Sequence, residues 1–220
     1  MADVVILIPT LGRPQHIKPL LESIYSTTDR ARPLFIVNKS DEYVLSAIKQ
    51  HGEDMIYVRT RPAIRGDYAK KINAGYKRSS EPLIFLGATD LIFRDGWLEN
   101  AERHLSDTIQ VVGTNDLGNK DVIAGKHSTH SLLTRKYADE YGTIDEPGKI
   151  LCERYWHEFV DNEFCDTARY RNAFAMATDS IVEHVHPAFG KNQWDENYKL
   201  WRKRTSDGKI IYDKRKFLWT

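Results

Sequence analysis

The chain has few cysteines, no long apolar run and almost no net charge, and each shortage excludes a class of protein. Its 220 residues include only two cysteines, too few for a disulfide framework, so reduced thiols in a cytoplasm are expected. No apolar stretch reaches the length of a membrane span, and the N-terminus shows no charged leader. A net charge of +1 does not by itself imply a polyanionic partner.

What the chain does contain is enough to build one core. It is 41% hydrophobic with five Trp, eleven Tyr and eight Phe, which predicts a single domain over residues 1–198. Residues 199–220 differ, because they contain eight basic residues and only two acidic ones. Ser206, Asp207 and Gly208 predict a hairpin turn between two short aromatic runs. This basic extension is either a packed surface hairpin or a module that contacts phosphate or nucleic acid.

Strand and helix patterns alternate along the first half of the chain. Continuous apolar runs predict strands over 4–8, 34–37, 55–58 and 82–86. Helical periodicity predicts helices over 14–25, 41–50 (with Ser40 as N-cap) and 66–78. After Glu99 the pattern is less regular, with a helix to about His104, strands near 109–112 and 180–186 and helices near 135–141 and 156–168. The alternation predicts an α/β fold: a Rossmann-like, mostly parallel sheet with helices on both faces.

An acid stands where the fourth strand ends. The apolar run 83–86 stops at Gly87, and Asp90 follows at the carboxyl end of the strand, where α/β sheets bind their ligands. The loops 9–13, 38–41 and 61–67 follow the first three strands and converge on the same edge. Neither GxGxxG nor GxxxxGK[ST] occurs, so a phosphorylated ligand would be held by another scheme. An isolated loop Asp in an Asx-turn is the alternative for Asp90.

Four blocks of the sequence, taken in order, resemble a known family. They are VVILIPTLGRPQHIKPLLESIYSTT (4–28), GDYAKKINAGYKRSSEPLIFLGATD (66–90), YWHEFVDNEFCDTAR (155–169) and VEHVHP (182–187). They are similar to glycosyltransferases of the A fold, closest to the family-2 type with its short bacterial and phage members. The resemblance implies a sugar transfer from a nucleotide-sugar donor to an acceptor hydroxyl, with Mn²⁺ or Mg²⁺ holding the donor's diphosphate, in a bacterial or phage-infected cytoplasm.

The resemblance also assigns residues to the donor and the metal. The nucleotide sugar would lie against a set of polar and loop residues: Pro9, Thr10, Arg13, Asn38, Asp67, Lys70, Asn73 and Thr89. Asp90 would coordinate the metal, although GATD offers one acid where the family usually has two or three. His184 and His186 share a face of the predicted strand and suit Mn²⁺, so they would complete the site. For Lys71, on the same helix as Asp67, a surface ion pair is the alternative.

A base and an acceptor complete the prediction. Inverting transfer needs a carboxylate to take the acceptor's proton, and the resemblance points to Asp161 ahead of Glu163, with an exposed acidic helix as the alternative. His127 and His130 either line the acceptor side or edge a strand. Trp156 and Trp194 either stack on a sugar or base or pack in the core.

The acceptor stays open between a saccharide, a protein side chain and a hydroxymethylated DNA base, and the basic extension keeps DNA in view. A second class of function also stays open. A non-catalytic nucleotide-sugar or nucleic-acid binding module on the same fold would tolerate the single acid at Asp90.

Overall fold

The structure, a computed structural model, describes residues 2–59 and 64–220. Eight strands occur in that part of the chain: β1 (Val4–Pro9), β2 (Ala31–Asn38), β3 (Met55–Val58), β4 (Leu83–Leu86), β5 (Leu91–Phe93), β6 (Val111–Asn115), β7 (Ser131–Thr134) and β8 (Phe174–His184). The helices are α1 (Ile17–Thr27), α2 (Glu42–Gln50), α3 (Asp67–Tyr76), α4 (Trp97–Glu102), α5 (Lys120–Ile123), α6 (Arg135–Glu140), α7 (Val160–Tyr170) and α8 (Glu196–Arg215).

The strands form one sheet in the order β3-β2-β1-β4-β7-β6-β8-β5. Strands β3, β2, β1 and β4 are parallel neighbours, so their carboxyl ends share an edge. Strand β7 runs antiparallel to both β4 and β6, and β8 runs parallel to β6 and antiparallel to β5. The sheet is therefore mixed, with the predicted parallel half at the N-terminal side.

Both faces of the sheet are covered, which explains the unbroken apolar strands. All six residues of β1 are buried. Val4 and Ile6 face the core shared with α1, α2 and α4, whereas Val5 and Leu7 face the core shared with α3, α6 and α7. Each large apolar side chain buried this way contributes about 1.5–3 kcal/mol of transfer free energy.

Most predicted elements of the first half are confirmed, with small shifts. The helix predicted from residue 41 begins at Glu42, and Asp41, not Ser40, caps it by accepting from the Val44 N–H. The helix predicted from Trp156 begins at Val160. Strands β5 and β7 and helix α5 had no separate prediction.

The predicted C-terminal hairpin is wrong, because one 20-residue helix, α8, runs through the Ser206–Gly208 turn signal. The Asp195 carboxylate caps the helix at the Tyr198 N–H. A Cβ at Gly208 would lie 2.7 Å from the Glu158 carbonyl oxygen, so this glycine permits the close approach of α8 to the loop before α7. The predicted boundary at 198/199 falls inside α8. No helix in residues 2–59 and 64–220 is long and apolar enough to cross a membrane.

Candidate active site

A cavity of about 670 Å³ lies beyond the carboxyl ends of β1 and β4, with α8 as one wall. Nine of the residues predicted for the site line it: Pro9, Thr10, Arg13, Asp67, Thr89, Asp90, Asp161, His184 and His186. Four of the residues that the resemblance assigns to the base, the donor or the metal are not part of its lining: Asn38, Lys70, Asn73 and Glu163. In the third predicted loop, residues 61–63 lie outside the described residues.

Asp90 is buried at the floor of this cavity, between β4 and β5. Its Oδ2 accepts a hydrogen bond of 2.5 Å from the Tyr198 hydroxyl and lies 3.4 Å from His184 Nε2 and 3.7 Å from Arg13 Nη1. Burial by itself raises the pKa of Asp90, but His184, Tyr198 and Arg13 outweigh it and hold the pKa well below the ordinary range. The carboxylate is therefore ionised at neutral pH.

The two C-terminal histidines stand side by side, with ring centroids 4.9 Å apart, but only His184 points at Asp90. Burial lowers the pKa of His184, and the Asp90 charge outweighs this and raises it. His186 lies beyond the end of β8, where its Nδ1 accepts from the Ala188 N–H at 3.1 Å and its ring packs on Tyr198. Burial, followed by the His184 charge, lowers the pKa of His186 to about 4.

The residues around Asp90 fit a divalent metal ion only in part. Across residues 2–59 and 64–220, no group of three His, Cys, Asp or Glu side chains is arranged to hold an ion. Asp90 and His184 nevertheless offer one carboxylate and one imidazole with facing atoms 3.4 Å apart, a pair that suits Mn²⁺ better than Mg²⁺. Such ions commonly complete their coordination with water and substrate phosphates. The pair fits an ion that a diphosphate helps to hold.

Two cations, Arg13 and Lys71, line the cavity, and Arg13 lies beside Asp90. Arg13 donates from Nε to the Asp195 carboxylate at 2.6 Å, and its guanidinium lies 3.5 Å over the Tyr198 ring. A surface ion pair was the alternative predicted for Lys71, but its side chain is buried. Its Nζ bonds Asp67 Oδ2 at 2.7 Å and the Thr10 carbonyl at 2.6 Å. Burial lowers the pKa of Lys71, although Asp67 opposes the shift.

The four predicted residues outside the cavity have structural surroundings instead. Asn38 is buried at the end of β2. Asn73 holds the 150–151 loop, since its side chain accepts from both N–H groups and donates to the Leu151 carbonyl. Lys70 donates to the Arg65 carbonyl on the surface. Glu163 is locked by Arg215, at 2.7 and 2.8 Å, and by the Tyr155 hydroxyl at 2.7 Å.

Asp161 and Glu158 are two further carboxylates that line the cavity. Asp161, in the first turn of α7, lies 3.1 Å from His127 Nε2. Burial raises its pKa, and the His127 contact outweighs this and lowers it. Glu158 also lines the cavity, and burial raises its pKa. Two acids with pKa values shifted in opposite directions are a common arrangement in acid–base sites.

The predicted pair His127 and His130 separates. His130 lines the cavity and donates from Nδ1 to the Leu86 carbonyl at 2.8 Å, and burial lowers its pKa to about 4. His127 stands behind Asp161 and is not part of the lining. Of the two predicted tryptophans, Trp194 lines the cavity, whereas Trp156 packs against the guanidinium groups of Arg65 and Arg204.

Sequence reasoning missed the wall that α8 supplies. Tyr198, Trp201, Arg202 and Thr205 line the cavity, and the Trp201 ring stacks on His157 at 5.0 Å. Positions 198, 201, 202 and 205 follow the i, i+3, i+4, i+7 spacing of one helix face, but the turn signal at Ser206–Gly208 predicted a hairpin instead. Asp195 and Arg13 are 182 positions apart in sequence, so no local signal indicates their contact.

The fold is that of the glycosyltransferase-A proteins. A mannosyltransferase from Pyrobaculum calidifontis, solved with GDP-mannose and Mn²⁺, aligns with a TM-score of 0.67 and 15% identity over 98% of this chain and 64% of its own. Glucosyl-3-phosphoglycerate synthase from Mycobacterium tuberculosis, solved with Mn²⁺, UDP and phosphoglyceric acid, aligns at 0.64 and 12% identity over 96% and 78%.

The chain thus spans just under two thirds of the length of the mannosyltransferase. No protein-family model matches the sequence, and no curated protein is significantly similar to it. At such low identity the likeness establishes the fold alone. The finer resemblance to the family-2 type stays a prediction, as do the roles of the individual residues.

Proposed function

We propose that the chain is a metal-dependent glycosyltransferase that moves a sugar from a nucleotide-sugar donor to an acceptor hydroxyl, with inversion at the anomeric carbon. One observation carries the proposal: the pair Asp90 and His184, suited to a metal ion, lines the same cavity as Asp161, a carboxylate suited to act as base. The cavity volume of about 670 Å³ lies in the range of small-molecule sites.

The donor's diphosphate would lie between Asp90 and the two cations. A bound divalent ion would supply Lewis-acid stabilisation of the departing phosphate oxygen. Arg13 is held in place by Asp195 and Tyr198, so its charge is oriented before the substrate arrives. Lys71 presents a second positive group beside Thr10, at the carboxyl end of β1.

Asp161 would act on the acceptor. Its lowered pKa keeps it ionised at neutral pH, so it can accept the proton of the attacking hydroxyl. The new bond forms between the acceptor oxygen and the anomeric carbon while the bond from that carbon to the phosphate oxygen breaks. The proton ends on Asp161, and the single displacement inverts the anomeric centre.

The acceptor is best matched by a saccharide. Trp194, Tyr198 and Trp201 give the cavity an aromatic wall with polar groups beside it, the usual composition of a small-molecule pocket. The case for a DNA-base acceptor rests on the basic residues of 199–220. The hairpin predicted there does not form, and most of these residues lie along α8, whose Trp201 and Arg215 are buried in the body. We assign the protein to a cytoplasm, in keeping with its two buried free thiols.

Calorimetry tests the metal-dependent donor site. We expect UDP or GDP to bind the native protein in the presence of Mn²⁺ and to bind at least about tenfold more weakly to Asp90→Ala, because the ion loses its carboxylate ligand. Asp95→Ala removes an exposed acid nearby and is the matched control. Equal affinity in Asp90→Ala would remove Asp90 from the site.

Turnover separates the enzyme from a non-catalytic binding module. Native protein with Mn²⁺ and the nucleotide sugar that binds best should release nucleoside diphosphate when a panel of saccharides is added. Donor binding without release for any saccharide or hydroxymethylated DNA tested would favour the binding module.

A further inference from the structure

His127 and Asp161 form a contact between two distant segments. His127 precedes β7 and its side chain is 11% exposed, and its Nε2 lies 3.1 Å from Asp161 Oδ2 in the first turn of α7. Asp161 lines the cavity, but His127 does not. The imidazole therefore reaches the cavity only through the carboxylate in front of it.

The segment that carries His127 is tied to α7 at a second point. Cys165 lies one helical turn after Asp161 and is also in contact with the His127 ring. Its buried thiol donates to the Ser128 carbonyl at 3.3 Å. The histidine is thus held between two α7 side chains on the same helix face, and its ring has little freedom to leave Asp161.

We propose that His127 is a positioning residue, which fixes the carboxylate of Asp161 and supplies its countercharge, so that an oriented, ionised base meets the acceptor hydroxyl. The inference rests on the proposed function, in which Asp161 is that base. One Asp161 oxygen contacts His127, and the other accepts from the Asn162 N–H at 3.0 Å. These two contacts hold the plane of the carboxylate, which a catalytic base requires.

The groups around His127 and Asp161 decide in which direction the loss of His127 changes the pKa of Asp161. Tyr68 of α3, Glu158 of the preceding loop and His184 of β8 face Asp161, while Cys165 and Asp161 face His127. Burial raises the pKa of Asp161, and the charge of Asp161 in turn raises the pKa of Glu158. His127 is the largest opposing group, so its removal should raise the pKa of Asp161.

The test compares His127→Leu and His127→Gln with the native enzyme in kcat and kcat/KM across pH. Activity that needs ionised Asp161 rises as pH passes its pKa, so we expect His127→Leu to move this acid limb upward by at least about one pH unit. Its kcat should fall up to about 10²-fold, with the Kd of nucleoside diphosphate and Mn²⁺ unchanged. His127→Gln keeps a hydrogen-bond donor but carries no charge. Its kcat should therefore return toward the native value more than the position of its acid limb does. His104→Leu, at an exposed histidine, is the control.

The two His127 variants provide independent tests of the same inference. If His127→Leu does not fold, the shift of the acid limb in His127→Gln decides. An acid limb that stays in place in a folded variant, whether or not kcat falls, would make His127 merely structural and overturn the inference. Asp161→Asn measured in parallel separates the two proposals. If that variant keeps its activity, the proposed base is wrong. If Asp161→Asn is inactive but the acid limb of the His127 variants does not move, Asp161 remains the proposed base and only the positioning role of His127 is wrong.

Discussion

Asp161 and Glu163 are two positions apart on α7, yet their carboxylates have different surroundings. Asp161 faces the cavity with His127 behind it. Glu163 faces the opposite way, and Arg215 and Tyr155 occupy both of its oxygens. A carboxylate paired in this way cannot approach a substrate without breaking a buried ion pair. The geometry therefore separates two residues that the sequence could only rank.

Exchanging each acid for its amide should produce opposite phenotypes. Asp161→Asn should lower kcat by about 10²- to 10⁴-fold with little change in donor KM, since a general base acts in the chemical step. Glu163→Gln should keep kcat but lower the free energy of unfolding by up to about 3–5 kcal/mol, because Arg215 stays buried without a full partner. Steady-state kinetics and urea unfolding measure the two effects.

A third acid provides the check on this assignment. Glu158 lines the same cavity, and burial raises its pKa, so it is the competing base. Glu158→Gln with a collapsed kcat beside an active Asp161→Asn would transfer the role to Glu158. A dead but fully stable Glu163→Gln enzyme would instead reverse the order of the two predicted bases.

The site was predictable where its residues follow strands. Thr10, Arg13 and Asp90 stand at or just after the ends of β1 and β4, and parallel strands gather such residues at one edge of the sheet. Tyr198 and Trp201 reach the same cavity from the C-terminal helix. That placement depends on long-range contacts such as Tyr198 to Asp90, for which no local pattern exists.

At the scale of elements, the first half of the fold could be predicted mainly because three of its four strands, β1, β2 and β4, are almost wholly buried. Strand β2 shows this as an almost continuous apolar run. The second half contains short or half-exposed strands. β5 has three residues, and β8 mixes buried and exposed positions with a register shift opposite Thr114 and Asn115. Such strands leave neither a run nor a clean alternation.

Gly208 belongs to the predicted turn but lies inside α8, where it allows the helix to pack closely against the loop before α7. This packing role can be tested. Glycine to alanine in a helix interior normally stabilises by about 1 kcal/mol. Here the new Cβ would lie 2.7 Å from the Glu158 carbonyl oxygen, so α8 would have to shift from the loop. We expect Gly208→Ala to lower the free energy of unfolding by about 1–3 kcal/mol in urea titration.

Ser206→Ala is the matched control for that substitution. Ser206 is exposed on the same helix two residues earlier, so its replacement should change stability by no more than about 0.5 kcal/mol. Stabilisation by Gly208→Ala would show that α8 does not pack closely against the Glu158 carbonyl.

At the scale of the whole molecule, α8 joins the cavity to the rest of the fold. Asp195, its N-cap, bonds Arg13, and Tyr198 in its first turn bonds Asp90. At its last residue, Arg215 bonds Glu163 of α7 and Asp145 at 2.7–2.9 Å. The basic residues that made the tail look like a separate module lie mostly on the exposed side of the same helix. The predicted division into 1–198 and 199–220 would cut through these contacts.

Truncation at that boundary gives the test of the division. A chain ending at residue 198 loses Trp201 from the cavity wall and leaves Glu163 buried without Arg215, a loss of about 3–5 kcal/mol from the ion pair alone. We expect its Tm to fall by about 10 °C or more and its Mn²⁺-dependent affinity for nucleoside diphosphate to fall with it. The full-length variant with Lys209, Lys214 and Lys216 all changed to Ser removes exposed charge only and should keep both properties, since surface ion pairs contribute little. A truncated chain with native Tm and affinity would show that residues 1–198 form a complete domain and that the extension is an accessory to it.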